Sequence, residues 1–169
     1  MKVDAQKGSF TVPENRSNPN SRRIKIGFIR FPSTSSTPGD PIVYLAGGPG
    51  GTGMGTAMGG RFPLFMALRE VADVIAYDQR GTGLSSPTKT CMAVPPFGAD
   101  TPMTRAYIVD FQRKALTRCF DVWERGGADI DGYTTLENAH DIEDLRKALG
   151  AKRRDILGQF LIEALVLVL

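Results

Sequence analysis

The chain passes from a short apolar run, Pro41-Ile42-Val43-Tyr44-Leu45, almost directly into a glycine-rich loop, Gly47-Gly48-Pro49-Gly50-Gly51-Thr52-Gly53. The apolar run shows no alternation of polar and apolar residues, which is typical of a strand buried on both faces. Glycines after a strand let the backbone adopt positive φ and bring its N–H groups close to an anionic oxygen. Together the two segments predict a buried strand followed by a loop that binds an anion or an oxyanion.

Strands and helices are predicted to alternate on both sides of this loop. The spacing of apolar residues predicts strands over residues 24–31 and 73–77, and a third that begins at residue 155. Helical spacing is found over residues 63–71, 104–124 and 137–149, with Thr135 as the N-cap of the last helix. Prolines and turn formers predict an irregular segment over 85–103. This order predicts an α/β protein with a mainly parallel sheet and flanking helices, in one partial domain over residues 1–169.

Composition excludes several classes of function. The 21 Lys and Arg residues are scattered and the net charge is only +3, so we expect no nucleic-acid binding. With one histidine and two cysteines outside any CxxC pair, the chain lacks the roughly four ligands of a structural zinc site. Residues 1–10 lack an apolar core and no apolar run reaches about 18 residues, so neither a signal peptide nor a membrane span is predicted. The protein is then cytoplasmic, or secreted with a leader that this chain does not include.

The glycine loop alone allows three interpretations. Gly48, Gly50 and Gly53 fit the G-x-G-x-x-G fingerprint of dinucleotide-binding proteins, and Asp78 ends the next strand. Pro49 inside the turn argues against that interpretation, as do the further glycines where a helix should begin. A P-loop is excluded because no Lys-Ser or Lys-Thr follows the glycines. The third interpretation is an oxyanion loop, whose backbone N–H groups would stabilise a developing negative oxygen.

A second motif, Asp78-Gln79-Arg80-Gly81-Thr82-Gly83-Leu84-Ser85, follows the next predicted strand. With the glycine loop upstream, it resembles the paired G-G-P-G and D-Q-R-G-x-G-x-S signatures of the proline iminopeptidases, and in particular of their tripeptidyl-aminopeptidase-like, often secreted relatives. The similarity extends to Val12-Pro13-Glu14-Asn15-Arg16, to Tyr133-Thr134-Thr135 and to the stretch from Asp141 to Gly150. It covers about residues 8–159, in the order and spacing of the family.

The resemblance implies an α/β-hydrolase fold, a Ser-Asp-His triad, no cofactor, and cleavage of N-terminal residues or short peptides. It implies that Gly47, Gly48, Gly50 and Gly51 form an oxyanion loop. It also implies that Asp78, Gln79 and Arg80 brace the site. For Asp78 and Arg80 themselves we expect an ion pair that braces the turn. The residues themselves leave Cys91 and Cys119 open between a disulfide and two free thiols. The resemblance favours the disulfide, because secreted members carry one in this region.

The family pattern ends abruptly at the expected nucleophile. The elbow G-x-S-x-G should follow the third strand, but the chain has Gly158-Gln159-Phe160-Leu161-Ile162. Phe160 takes the place of the serine, and Ile162 that of a glycine whose turn has no room for a β-branched residue. Ser85 and His140 are weak candidates for catalysis, since Ser85 lies in a structural motif and His140 within a predicted helix. No complete set of nucleophile, base and orienting group can be drawn.

The divergent tail, residues 160–169, is strongly apolar, and a partial parallel sheet leaves an unpaired edge. We expect that edge and tail to be covered by a second copy, which predicts a homo-oligomer. The leading hypothesis is a serine-aminopeptidase-like hydrolase of small peptides, esters or lactones whose triad is incomplete in this chain. The alternative is a non-catalytic α/β-hydrolase-like module or fragment that self-associates.

Overall fold

A computed structural model gives the fold and describes residues 3–48, 50–85, 91 and 103–150. Its sheet has four strands in the order β1-β2-β4-β3. In chain order they are β1 (Gln6–Pro13), β2 (Arg23–Phe31), β3 (Gly39–Tyr44) and β4 (Ala72–Tyr77). The helices are α1 (Gly53–Met58), α2 (Phe62–Leu68), α3 (Arg105–Arg125) and α4 (Thr135–Ala148), with short 3₁₀ turns at Gly83–Ser85 and Ile130–Gly132.

The predicted α/β class is confirmed, but the described sheet is mixed rather than mainly parallel. β2 pairs antiparallel with both β1 and β4, and only β3 and β4 run parallel. β1 was not predicted, because Val12 is the only one of its residues that is buried and the rest carry little apolar pattern. In chain order, the antiparallel pair β1 and β2 therefore comes before the parallel pair β3 and β4. The strand predicted from residue 155 lies outside the described residues.

β4 is buried on both faces, which explains its apolar run without alternation. On β4, Val74 and Ala76 pack toward α1 and α2 in a core with Phe65. Ile75 and Tyr77 point to the other face and pack with Leu145 of α4. The corresponding prediction for β3 was wrong, because its residues are exposed or half-buried. Among the described residues β3 is, like β1, an edge strand, and it pairs with β4 alone.

The helix boundaries follow local capping chemistry. Thr104 caps α3 by accepting a hydrogen bond from the N–H of Tyr107, and Gly127 adopts positive φ just after its end. For α4 the predicted N-cap, Thr135, was wrong by one residue. Thr134 has the extended backbone of a cap, and its hydroxyl accepts the N–H of Glu137 at 3.2 Å. The glycine-rich stretch also contains the short helix α1, which its glycines had obscured.

Candidate functional site

The glycine loop and Asp78 lie at the same edge of the sheet. β3 and β4 are parallel, so the loop that follows β3 and the residue that follows β4 both emerge at the carboxyl edge, where open α/β sheets bind ligands. Gly48 and Gly50 have φ of 150° and 87°, in the region that favours glycine. A Cβ on Gly51 would lie 2.3 Å from the carbonyl oxygen of Gly47. The tight turn therefore depends on glycine at these positions. Gly47, Gly48 and Gly50 are exposed to solvent, whereas Gly51 is half-buried.

Asp78 connects the two sequence motifs. Its carboxylate accepts hydrogen bonds of 2.9 Å from the N–H of Met54, in α1 after the glycine loop, and from the N–H of Leu84, in its own motif. The residue is 1% exposed. Gly53 and Gly83 allow this close approach, because a Cβ on either would collide with Tyr77 or Asp78. Asp78 thus holds the loop and the turn in a fixed relation.

Arg80 has different partners from those predicted. Its guanidinium does not pair with Asp78, whose carboxylate instead binds two backbone N–H groups. Arg80 instead donates to both carboxylate oxygens of Asp141 at 2.7 Å and lies 3.3 Å from Glu137. It also donates to the carbonyl oxygens of Glu14 at 2.6 Å and Gly132 at 2.5 Å. One buried guanidinium therefore joins the end of β1, the 3₁₀ turn and α4.

The remaining turn residues are held by local hydrogen bonds. The carbonyl of Gln79, a half-buried residue, accepts the N–H of Thr82 at 2.9 Å and its hydroxyl at 2.8 Å. Gly81 donates its N–H to the carbonyl of Ser85 at 3.1 Å and has a φ of 78°. Asp78, Gln79 and Arg80 therefore each contact a different part of the structure around this turn.

A second group of buried charges was missed in the sequence. Glu14, which is 0% exposed, accepts hydrogen bonds from Arg22 at 2.6 and 2.7 Å and from the Tyr133 hydroxyl at 2.7 Å. Burial alone would raise the pKa of Glu14, but the hydrogen bonds from Arg22 and Tyr133 outweigh it and hold the pKa below its ordinary value. Burial, reinforced by the Glu14 carboxylate, raises the pKa of the Tyr133 phenol.

Arg16 binds three carboxylates of α4. It pairs with Glu137, and it lies 2.8 Å from both Asp141 and Asp144. Burial alone would raise the pKa of Glu137 and of Asp144, but hydrogen bonds to Arg16 hold both pKa values below their ordinary ones. Arg16 lies more than a hundred positions before these carboxylates in the sequence, and the helical spacing of α4 carries no signal for such a partner.

Ser85 and His140, the weak catalytic candidates, are placed in different settings. Ser85 is 0% exposed, and its hydroxyl accepts the N–H of Gly27 at 2.9 Å. His140 is exposed on α4. Within the described residues, no hydrogen bond joins the two side chains. Phe160, at the expected nucleophile position, lies outside the described residues.

Cys91 and Cys119 form a disulfide with a Cα–Cα distance of 5.5 Å, across a sequence separation of 28. No group of three or more His, Cys, Asp or Glu side chains within the described residues could hold a metal ion. In the same part of the chain, no helix is both long and apolar enough to cross a membrane.

The fold and the paired motifs define the class of protein. Residues 40–159 match the family model of the α/β hydrolase fold, and the chain belongs to that family. It is 29% identical to a tripeptidyl aminopeptidase of Streptomyces coelicolor over 175 residues, which cover 90% of this chain and 30% of that protein. It is also 29% identical to the serine protease Hip1 of Mycobacterium tuberculosis, over 89% of this chain and 30% of that protein.

A putative hydrolase of Escherichia coli, YuaR, is 28% identical over 81% of this chain and 26% of its own length. The chain therefore spans about 30% of the length of the first two relatives. The similarity to the tripeptidyl aminopeptidase and to Hip1 covers both the glycine loop and the Asp78 turn.

Proposed function

We propose that this protein acts as a hydrolase of the serine-aminopeptidase type, on the N-terminal end of peptides or on small esters and lactones. The glycine loop, Gly47, Gly48, Gly50 and Gly51, would stabilise the oxyanion of the tetrahedral intermediate. Asp78 would fix the position of that loop. No cofactor enters the proposed reaction.

The observation that carries the proposal is the double hydrogen bond of Asp78. An oxyanion donor is effective only when it is preorganised, because reorienting it during the reaction would consume the stabilisation it provides. The Asp78 carboxylate fixes the backbone of Met54 just after the loop and that of Leu84 in the turn, both at 2.9 Å. A buried carboxylate that links these two segments is the support that such a loop requires.

The nucleophile is the open part of this proposal. Phe160 has no nucleophilic atom, and Ser85 is buried and bonded to Gly27. Hydrolysis therefore requires another serine at this site, either from the same polypeptide or from a second chain. Either source would place the nucleophile beside the glycine loop.

A fluorophosphonate probe tests the proposal directly, because it labels only activated serines. Labelling would be combined with turnover of a p-nitrophenyl ester and an aminoacyl-naphthylamide, and the labelled serine would be mapped by mass spectrometry. We expect the wild-type protein to be labelled and to turn over substrate. Both signals should fall in Gly50→Ala, because the φ of 87° at Gly50 disfavours alanine. A label that disappears in Ser85→Ala would assign the nucleophile to Ser85. Absence of both label and turnover in the folded protein overturns the proposal.

The second candidate function is a non-catalytic module that self-associates. It is favoured by β3, which among the described residues pairs on one side only, with β4. An edge strand with a free row of backbone groups can pair with another copy. Size-exclusion chromatography with light scattering tests this proposal: a stable monomer contradicts it, and a dimer or larger assembly that lacks fluorophosphonate label supports it over the hydrolase.

A further inference from the structure

Helix α3 carries an apolar stripe that is largely exposed to solvent. The helix has 21 residues, of which Ala115 and Cys119 are buried. Val109, Leu116 and Phe120 follow one another at spacings of seven and four positions, so they lie on one side of the helix. They are 44%, 54% and 41% exposed. Single exposed apolar residues are ordinary on a protein surface, but a row of large ones on one helix face marks an interaction site.

Two charged residues at the ends of this stripe have signs that the helix itself does not favour. Arg105 lies in the first turn and Glu124 in the last, and both are exposed. The N-terminal end of a helix attracts negative charge and the C-terminal end positive charge, so each of the two is unfavourable where it stands. Arg125, the next residue, has the favourable sign for its end. Within the described part of the chain, neither Arg105 nor Glu124 forms an ion pair.

The order of these residues along α3 is self-complementary. Arg105 and Glu124 have their midpoint between residues 114 and 115, and Val109 and Phe120 have the same midpoint. At the rise of an α-helix the two charges lie about 28 Å apart along its axis, and the two apolar residues about 16 Å apart. A second α3 that runs antiparallel and crosses at this midpoint therefore places Arg105 beside the Glu124 of the other copy, and Val109 beside its Phe120.

We propose that the stripe is a self-association surface, on which α3 of a second copy of this chain packs antiparallel about a two-fold axis. Leu116 meets its own counterpart close to the axis, and two Val109–Phe120 contacts flank it, which removes apolar surface from water. Two Arg105–Glu124 ion pairs form, one at each end, because a two-fold interface makes each contact twice. Each charge also comes to lie beside the helix terminus of opposite sign in the other copy. The shared midpoint favours a second copy over an unrelated partner, since an unrelated partner requires no such symmetry.

This surface is distinct from the β3 edge and from the glycine loop, so the proposal goes beyond the proposed function and rests on none of its residues. A single pair of helices makes a small interface, and small interfaces are typical of weak, transient complexes. We expect a dissociation constant of about 0.1 mM. The chain is then a monomer at the low protein concentrations at which unfolding is measured.

Sedimentation equilibrium of the full chain, at concentrations from about 0.01 to about 1 mM, tests the proposal. We expect a monomer–dimer equilibrium. Leu116→Lys keeps a good helix former but places a charge near the axis, and it should raise the dissociation constant about tenfold or more. Arg105→Glu and Glu124→Arg should each weaken the dimer as well, because each turns two attractive contacts into two repulsive ones. Either reversal introduces the charge that its helix terminus favours, so unwinding of α3 would not explain the loss of the dimer.

The double variant Arg105→Glu/Glu124→Arg restores opposite charges across the axis and should recover the dimer. Lys114→Glu is the matched control, because it makes the same reversal as Arg105→Glu on the same helix, but at a residue that pairs with Asp110 away from the stripe. It should leave the dissociation constant unchanged. A wild-type chain that stays monomeric at about 1 mM would overturn the proposal. A dimer that tolerates Leu116→Lys, or that the double variant does not recover, forms through another surface such as the β3 edge and overturns it as well.

Discussion

Arg80 and Asp141, separated by 61 positions in the chain, form two parallel hydrogen bonds of 2.7 Å although neither side chain is exposed at all. The pair joins the turn after β4 to the middle of α4. Arg16 donates to the same carboxylate at 2.8 Å, so one buried negative charge serves two guanidinium groups. Each member of such a cluster depends on the others, because a buried charge that loses its partner retains the full cost of its desolvation.

Asp141→Ala should therefore destabilise the fold by about 3–5 kcal/mol, since the substitution leaves the buried guanidinium of Arg80 without its main partner. Urea unfolding followed by circular dichroism measures this. Asp110→Ala is the control, because Asp110 pairs with Lys114 with both side chains more than half exposed. Its cost should stay below about 1 kcal/mol. An equal decrease in the free energy of unfolding in the two variants would show that the buried pair stabilises the fold no more than the exposed pair.

Asp78→Ala should loosen the glycine loop and the following turn together. It removes the acceptor of two backbone N–H groups, and each unsatisfied buried donor costs about 1–3 kcal/mol. Hydrogen exchange followed by NMR should become faster at the amides of Met54 and Leu84 in particular. Asp78→Asn keeps one carbonyl oxygen and should retain part of the protection.

Asp131→Asn, an exposed substitution, should leave both of these amides unchanged. If the exchange rates of Met54 and Leu84 respond independently of each other in the Asp78 variants, the two segments are not coupled through this carboxylate.

Much of the fold could be predicted because it depends on local signals. The apolar runs that became β2 and β4, the long helix α3 and the glycines after β3 all carry their pattern within a few residues. β1 escaped prediction because its alternation is hidden among polar residues and glycine, and only Val12 is buried. The exposure of β3 depends on its position in the sheet, which its own sequence does not encode.

The candidate site was predictable only where it is contiguous in sequence. The glycine loop and the Asp78 turn each form one motif. The partners of Arg80 lie 52 to 67 positions away, on β1, the 3₁₀ turn and α4, and no spacing rule connects them. An Asp78–Arg80 ion pair was the simplest local expectation, but Asp78 binds two backbone N–H groups and Arg80 binds Asp141.

Gly53 tests the close approach of α1 to β4. A Cβ at Gly53 would lie 2.1 Å from the carbonyl oxygen of Tyr77, a backbone atom that cannot move freely. Gly53→Ala should cost about 1–3 kcal/mol or more through overpacking. Gly60→Ala is the matched control, because a Cβ there meets nothing within 4 Å. It should be neutral or stabilise by up to about 1 kcal/mol. Thermal unfolding of both variants measures the contrast, and equal melting temperatures would argue against the tight contact.

Acid should weaken the Glu14 cluster. The pKa of Glu14 in the folded protein lies below its ordinary value of 4.5, mainly because hydrogen bonds from Arg22 and Tyr133 outweigh burial. A lowered folded pKa means that the carboxylate stabilises the fold fully above the unfolded pKa, and that this contribution is lost as the pH falls through the folded pKa. The pKa values of Glu137 and Asp144 are also lowered, so their contributions to stability are likewise lost as the pH falls.

Glu14→Gln should therefore be less stable than the parent at neutral pH, and the difference should narrow once the pH falls below about 4. Urea unfolding at neutral pH and at about pH 3 measures both free energies of unfolding. Glu124→Gln, an exposed substitution on α3, serves as the control and should show no comparable change in the difference. A gap between parent and Glu14→Gln that is the same at both pH values would mean that the ionised carboxylate is not the stabilising species.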